Sequence, residues 1–182
     1  MKTTYPTLRA SVSTLLLFLT LFVSATALAT SNSKGGSKEQ QLSSERQEIL
    51  DLISAYSYTY DSRDVKRWLA LFTDDARWAW YAGPQRTLAV DLKSKRAINE
   101  FFAPRIAGLG EQGIQSRHFQ TNTVFTSFNG KEATAKTYVL VTWQYAGELV
   151  PRPVHTGYYE DRFVRTPRGW KFKERVIYVD HV

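Results

Sequence analysis

Apolar positions recur every three to four residues in the first half of the chain beyond Ser44, and every second residue in the second half. Ser44-Glu45-Arg46-Gln47 has the form of a capping box, and Ile49, Ile53, Tyr56 and Tyr60 follow on one helical face, which predicts a first helix from about Glu45 to Tyr60. Asp64 suits the N-cap of a second, shorter helix with the buried stripe Val65, Trp68, Leu69 and Phe72, ended by Thr73-Asp74-Asp75. Arg77 to Tyr81 reads as an aromatic strand that Gly83-Pro84 breaks. A third helix is expected from near Ser94, burying Ala97, Ile98, Phe101, Phe102 and Ile106 until Gly108 and Gly110 stop it.

Strands follow. His118 to Phe128 runs into Asn129-Gly130, a strong hairpin signal. Glu132 to Tyr145 places Ala133, Ala135, Val139, Val141, Trp143 and Tyr145 on one face. Pro151 and Pro153 punctuate the next connection, and Thr156 to Arg165 and Trp170 to Val179 form a last pair joined through Pro167-Arg168-Gly169. Helices first and a long antiparallel meander afterwards predict an α+β fold with helices packed on one face of a curved sheet.

The N-terminus carries a different signal. Lys2 and Arg9 precede a nearly continuous apolar run from Val12 to Leu28, closed by Ala27-Leu28-Ala29, which are the three parts of a secretory signal. The purely apolar core, Leu15 to Val23, is shorter than the roughly 20 residues of a spanning helix, so cleavage after Ala29 is expected rather than a membrane anchor. The expected location is secreted or periplasmic. Residues 30–43, rich in Ser, Gly, Lys and Gln, read as a flexible leader, and residues 44–182 as one domain of roughly 140 residues. With no Cys, disulfide staples and thiolate zinc sites are excluded.

The net charge of +7 changes little. Lys and Arg alternate with Asp and Glu and form no basic stripe interleaved with aromatics, which argues against a nucleic-acid partner. The expected partner is a small-molecule substrate, with self-association as a dimer or trimer left open.

Tyr56 and Asp61 lie five residues apart across the predicted end of the first helix, and His118 opens the first long strand. Phenol, carboxylate and imidazole make a complete acid-base set that requires no metal or other cofactor. Each also has a structural alternative: Tyr56 as an amphipathic core residue, Asp61 as a helix-terminal turn residue, His118 as a hydrogen-bonded structural histidine. As a functional pair, Asp61 would fix the tautomer of His118 and His118 would act as the base, with a tyrosine hydroxyl polarising a carbonyl or protonating a leaving group.

Tyr56-x-x-x-x-Asp61, Leu71-Phe72-Thr73-Asp74-Asp75-Ala76, Arg117-His118-x-x-x-Asn122, Gly157-x-Tyr159-x-Asp161-x-Phe163 and Gly169-Trp170-x-x-x-x-Arg175, in this order, resemble the SnoaL-like proteins of the nuclear transport factor 2-like superfamily. The resemblance implies a cone: three N-terminal helices in a strongly curved, mostly antiparallel sheet around one pocket. It is nearest the branch of scytalone dehydratase, bile-acid 7α-dehydratase and hexachlorocyclohexane dehydrochlorinase, cofactor-free lyases that use an Asp-His pair. It implies Asp61, His118 and Tyr56 as catalytic residues. Trp80, Phe102, Asn122, Tyr138, Trp143 and Arg175 are the substrate-binding expectations, with Trp78, Tyr81 and Phe101 as further aromatic candidates for the pocket wall. His155 stands off the spacing of the second histidine of scytalone dehydratase. The expected activity is a dehydratase-type elimination on a hydroxylated aromatic, polyketide or steroid-like substrate. An isomerase or cyclase with the same Asp-His chemistry and a non-catalytic exported ligand-binding module are the alternatives.

N-terminal sequencing of the exported protein is expected to read from Thr30. A chain that still carries Leu15 to Val23 contradicts cleavage after Ala29.

Overall fold

The computed structural model describes residues 33–181, so the apolar segment and the cleavage position after Ala29 lie outside the described residues. Chain order is α1 (Ser33–Asp61), α2 (Val65–Leu69), β1 (Phe72–Ala82), β2 (Thr87–Leu92), α3 (Lys95–Glu111), β3 (Ile114–Phe128), β4 (Glu132–Tyr145), β5 (Arg152–Thr166) and β6 (Gly169–Val179). The strands make one six-stranded sheet ordered β2-β1-β6-β5-β4-β3, antiparallel except where β1 runs parallel to β6. Helices α1 and α3 pack on one face of it, which is the α+β cone that the sequence predicts. Among the described residues, no helix is long and apolar enough to cross a membrane.

The main departures lie at element ends. α1 begins at Ser33 rather than Glu45, so most of the stretch expected to be a flexible leader is helical. Extending an existing helix adds one bond per residue without a new nucleus, and Gln and Glu lose little rotamer freedom in doing so. Ser44 to Gln47 is therefore mid-helix, and Glu45 is buried, 3.4 Å from Arg165. Asp64 caps α2 by accepting from the Arg67 N–H at 3.0 Å, but the helix stops at Leu69. Phe72 and Thr73-Asp74-Asp75 consequently belong to β1, where Asp74 and Asp75 pair outward with Lys95 and Lys173. α3 passes through Gly108 and Gly110 and ends where Gly113 takes a φ of +64°.

Strand β2 has no counterpart in the sequence reading, because its edge position leaves it without a clear buried face. β4 matches its predicted limits, and Asn129 builds the turn before it: its side-chain oxygen accepts from the N–H groups of Lys131 and Glu132 at 2.9 and 2.8 Å. Bulges interrupt β3 between Thr121 and Val124 and the β4–β5 ladder between Val141 and Thr142. Bulges bend strands and sharpen twist, so the long strands curl around the helices. Pro153 enters β5 at the second bulge, where its missing N–H breaks no regular ladder.

One ion pair ties these layers together. Arg175 on β6 donates from Nε and Nη2 to the two oxygens of Asp161 on β5, both at 2.8 Å, and neither side chain is solvent-accessible. Nη2 also donates to Gln120 on β3 at 2.9 Å, and the Gln120 amide donates onward to Ile53 O and Ser57 Oγ on α1 at 2.9 and 2.6 Å. The guanidinium carbon lies 4.1, 3.9 and 4.3 Å from the ring centres of Tyr56, Tyr159 and Phe172. Cation–π attraction from these faces and the bidentate pair offset the cost of burying the charge.

Arg175→Met is expected to destabilise the fold by about 3 to 5 kcal/mol, because Asp161 is left buried and unpaired. Adding Asp161→Leu should recover much of that loss in urea unfolding. A single variant as stable as the wild type contradicts this role for the pair.

Candidate active site

The site begins at the end of α1. Arg63 takes a φ of +62°, its N–H donates to Tyr60 O at 2.9 Å, and the Asp64 N–H donates to Thr59 O at 2.9 Å. These bonds form a Schellman motif that makes Asp61 the last helical residue. The Arg63 guanidinium, 2.6 Å from Ile114 O, pins this end to the start of β3. A carboxylate at a helix C-terminus meets the negative end of the helix dipole, which disfavours its charge, so its capacity to accept hydrogen bonds has to be filled.

Asp61 uses that capacity fully. Oδ1 accepts from Ser116 Oγ at 2.9 Å and pairs with His118 Nδ1 at 2.7 Å, while Oδ2 accepts from the His118 backbone N–H at 2.9 Å. An ionised carboxylate only accepts, so Nδ1 carries the proton and Nε2 keeps its lone pair. Asp61 and His118 side chains are each 9% exposed.

His118 forms part of the wall of a cavity of about 440 Å³, and Asp61 stands behind it. Tyr56, Trp80, Phe102 and Trp143 also line this cavity, as expected, together with Trp78 and Phe101. Among the lining residues outside the sequence candidates, two bear on His118. Tyr60 places its ring 4.7 Å from the imidazole of His118, nearer than Tyr56 at 6.1 Å. Its signal was its position next to Asp61 and one helical turn beyond Tyr56. His155 is the second: His118, Val141 and His155 are successive cross-strand neighbours on β3, β4 and β5, so the two imidazoles share a face, on backbones two strand spacings or about 10 Å apart. Only strand register reveals this.

Electrostatically the cavity is quiet. Burial pushes the phenols of Tyr56, Tyr60 and Tyr159 up, so all three are neutral hydrogen-bonding groups at neutral pH. Burial, reinforced by His118, holds the His155 imidazole below its usual pKa, and its Nδ1 has no hydrogen-bond partner among the described residues.

Three expected substrate contacts are not on the wall. Tyr138 is 60% exposed, because the alternation of β4 turns it to the face opposite Val139 and Thr137. Asn122 is exposed at the β3 bulge with a φ of +56°, a left-handed conformation that asparagine tolerates better than most residues. Its role is in the backbone. Arg175 lies behind Tyr56 and Tyr159 in the ion pair with Asp161, and Tyr81 stacks on Tyr178 outside the cavity.

An α+β cone whose buried Asp-His pair faces an apolar cavity defines the class. The chain belongs to the SnoaL-like domain family, which matches residues 41–176. That family includes enzymes. Among solved structures it is similar to a nuclear transport factor 2-like protein with a cystatin-like fold from Novosphingobium aromaticivorans (TM-score 0.69, 22% identity, 83% of this chain and 92% of that one). It is also similar to a proposed scytalone dehydratase from the same organism (TM-score 0.63, 23% identity, 78% and 87% covered). ActVI-ORFA from Streptomyces coelicolor is a third (TM-score 0.60, 23% identity, 75% and 98% covered). At these identities the likeness concerns the fold. Among curated proteins, none matches the chain.

The depressed pKa of His155 has a sign that can be measured. Between its native value and the unfolded value of about 6.5, the unfolded chain binds more protons there, so stability falls as pH drops through that window. His155→Gln is expected to lose less stability than the wild type between pH of about 7.5 and 5.5. Equal losses in urea unfolding contradict burial of a neutral imidazole.

Proposed function

We propose that the protein is a cofactor-independent lyase that removes water from a small hydroxylated aromatic, polyketide or steroid-like substrate carrying a carbonyl, and that it works after export. The observation that carries this reading is the 2.7 Å bond between Asp61 and His118 Nδ1, with the imidazole on the wall of an aromatic cavity. The resemblance to the dehydratase branch assigns such a pair to Asp61 and His118, and the likeness to a proposed scytalone dehydratase supports the fold.

In this reading Nε2 of His118 removes the proton next to the carbonyl, and Asp61 stabilises the imidazolium that forms. His155, held neutral, donates a hydrogen bond to the developing enolate oxygen. Two hydrogen-bond reaches of about 3 Å leave room between the imidazoles for the activated carbon and its carbonyl oxygen. The enolate electrons then form the new double bond and expel hydroxide, which takes the proton back from His118 and leaves as water. The Tyr60 hydroxyl, beside that imidazole, steadies the departing oxygen. Aromatic walls exclude bulk water and thereby favour elimination.

A panel of β-hydroxy ketones and hydroxylated aromatics, assayed by mass without added cofactor, should contain a compound that loses water. His118→Ala should abolish nearly all turnover, and Asp61→Asn should cost about 10⁴ in kcat by favouring the wrong tautomer. The double variant should be little worse than His118→Ala, since the pair acts as one unit. Tyr56→Phe and Tyr60→Phe should be milder, within about 10³ and mainly in kcat. If His118→Ala keeps wild-type kcat/KM on a compound that is turned over, His118 is not the base.

A further inference from the structure

The cavity wall carries one permanent charge. Of its lining residues only Arg105 is ionised at every working pH, and none is Asp or Glu. The exposed lining residues Pro104, Arg105 and Gln112 all lie on α3 or its cap, so the mouth opens along that helix. Arg105 has no carboxylate within salt-bridge distance among the described residues. Its guanidinium carbon is held 3.5 Å from the ring centre of Phe101, and Nη1 donates to Phe101 O at 2.5 Å. The planar fork is thus oriented, with donors left over.

Gly108 adds a second observation. It sits inside α3, where glycine costs about 1 kcal/mol relative to alanine. Neither conformation nor crowding demands it: its φ is not positive, and a Cβ there would meet only Gln112 Nε2 at 3.7 Å, an ordinary contact. What the missing side chain leaves is space on the cavity face of the helix, beside the Gln112 carboxamide and further along α3 from the Arg105 guanidinium, which reaches back to Phe101.

We infer that Arg105 seats a carboxylate at the mouth, with the space at Gly108 admitting the rest of the molecule, so that the substrate is an aromatic or polycyclic acid. This rests on the cavity being the substrate site proposed above. A carboxylate at the mouth accepts charge-assisted bonds from the Arg105 donors that Phe101 O leaves over. The ring system then extends inward past Phe102 and Trp80 and brings the reacting carbon to His118. An amine or other cationic compound is disfavoured, because no carboxylate lines the wall to receive it.

The test is ligand binding read by tryptophan fluorescence, since Trp78, Trp80 and Trp143 line the cavity. At pH of about 7.5, where the acid is ionised, 2-naphthoic acid should bind about tenfold more tightly than 2-naphthamide. Arg105→Gln should bring the two affinities together, and Arg105→Lys should keep part of the preference. Arg96→Gln, on the outer side of the same helix and paired with Glu100, should leave the preference at its wild-type value. His118→Ala should keep it as well, so the result is independent of turnover. An acid that binds no better than its amide, or a preference that survives Arg105→Gln, overturns the carboxylate seat and leaves the lyase chemistry standing.

Discussion

The fold turns on a charge that has no access to water. Arg175 reaches Asp161 on the neighbouring strand, Gln120 across the sheet, and through Gln120 the backbone of α1, while three aromatic rings close over its faces. A buried guanidinium tolerates few alternative arrangements: Nη1 already has no hydrogen-bond partner among the described residues, and any displacement of α1 or of β5 against β6 would leave Nε, Nη2 or the carboxylate unpaired as well in a low-dielectric interior. Because Gln120 grips α1 at Ile53 and Ser57, the same network holds that helix against β3. Its final residue, Asp61, is thereby brought to β3.

From that point the site follows by short steps. The Schellman turn stops the helix at Asp61, Arg63 fastens the turn to Ile114, and β3 presents Ser116 and His118 to the carboxylate two residues apart on one face. Among the described residues every polar group of the pair has a partner except Nε2 of His118, which faces the proposed chemistry with its lone pair unused. Full charges elsewhere are kept behind the cavity wall or on the outside of the sheet, and the wall itself is built from rings, neutral phenols and imidazoles. In such surroundings a proton can move, because little solvent competes for it and fixed dipoles are already in place. The mouth, with Arg105, is the exception.

Much of the core was legible in the chain itself. The apolar stripes of α1 and α3, the caps at Asp64 and Ser94, the Asn129-Gly130 turn and the alternation of β4 are local chemistry, determined by neighbours a few residues away. The Asp61–His118 pairing was accessible through a helix-end carboxylate and a strand-borne imidazole in a recognisable order. Errors fell where local signals are degenerate. Arg175 looks like any strand arginine, and only the strand pairing reveals that Asp161 stands opposite it. Asn122 and Tyr138 were assigned to the pocket, but a bulge and a one-residue change of face put both outside it.

The sequence by itself therefore determined the class of fold, its helices and its long strands, and the residue types from which an acid-base pair is made, because periodicity and capping act over a few residues. Tertiary structure alone decided which of those residues meet. The row from His118 through Val141 to His155 is a matter of register across three strands, and the approach of Tyr60 to His118 depends on the angle at which α1 enters the sheet. The burial of Arg175 depends on both. Register and helix placement are set by packing among residues far apart in the chain, and no local pattern encodes them.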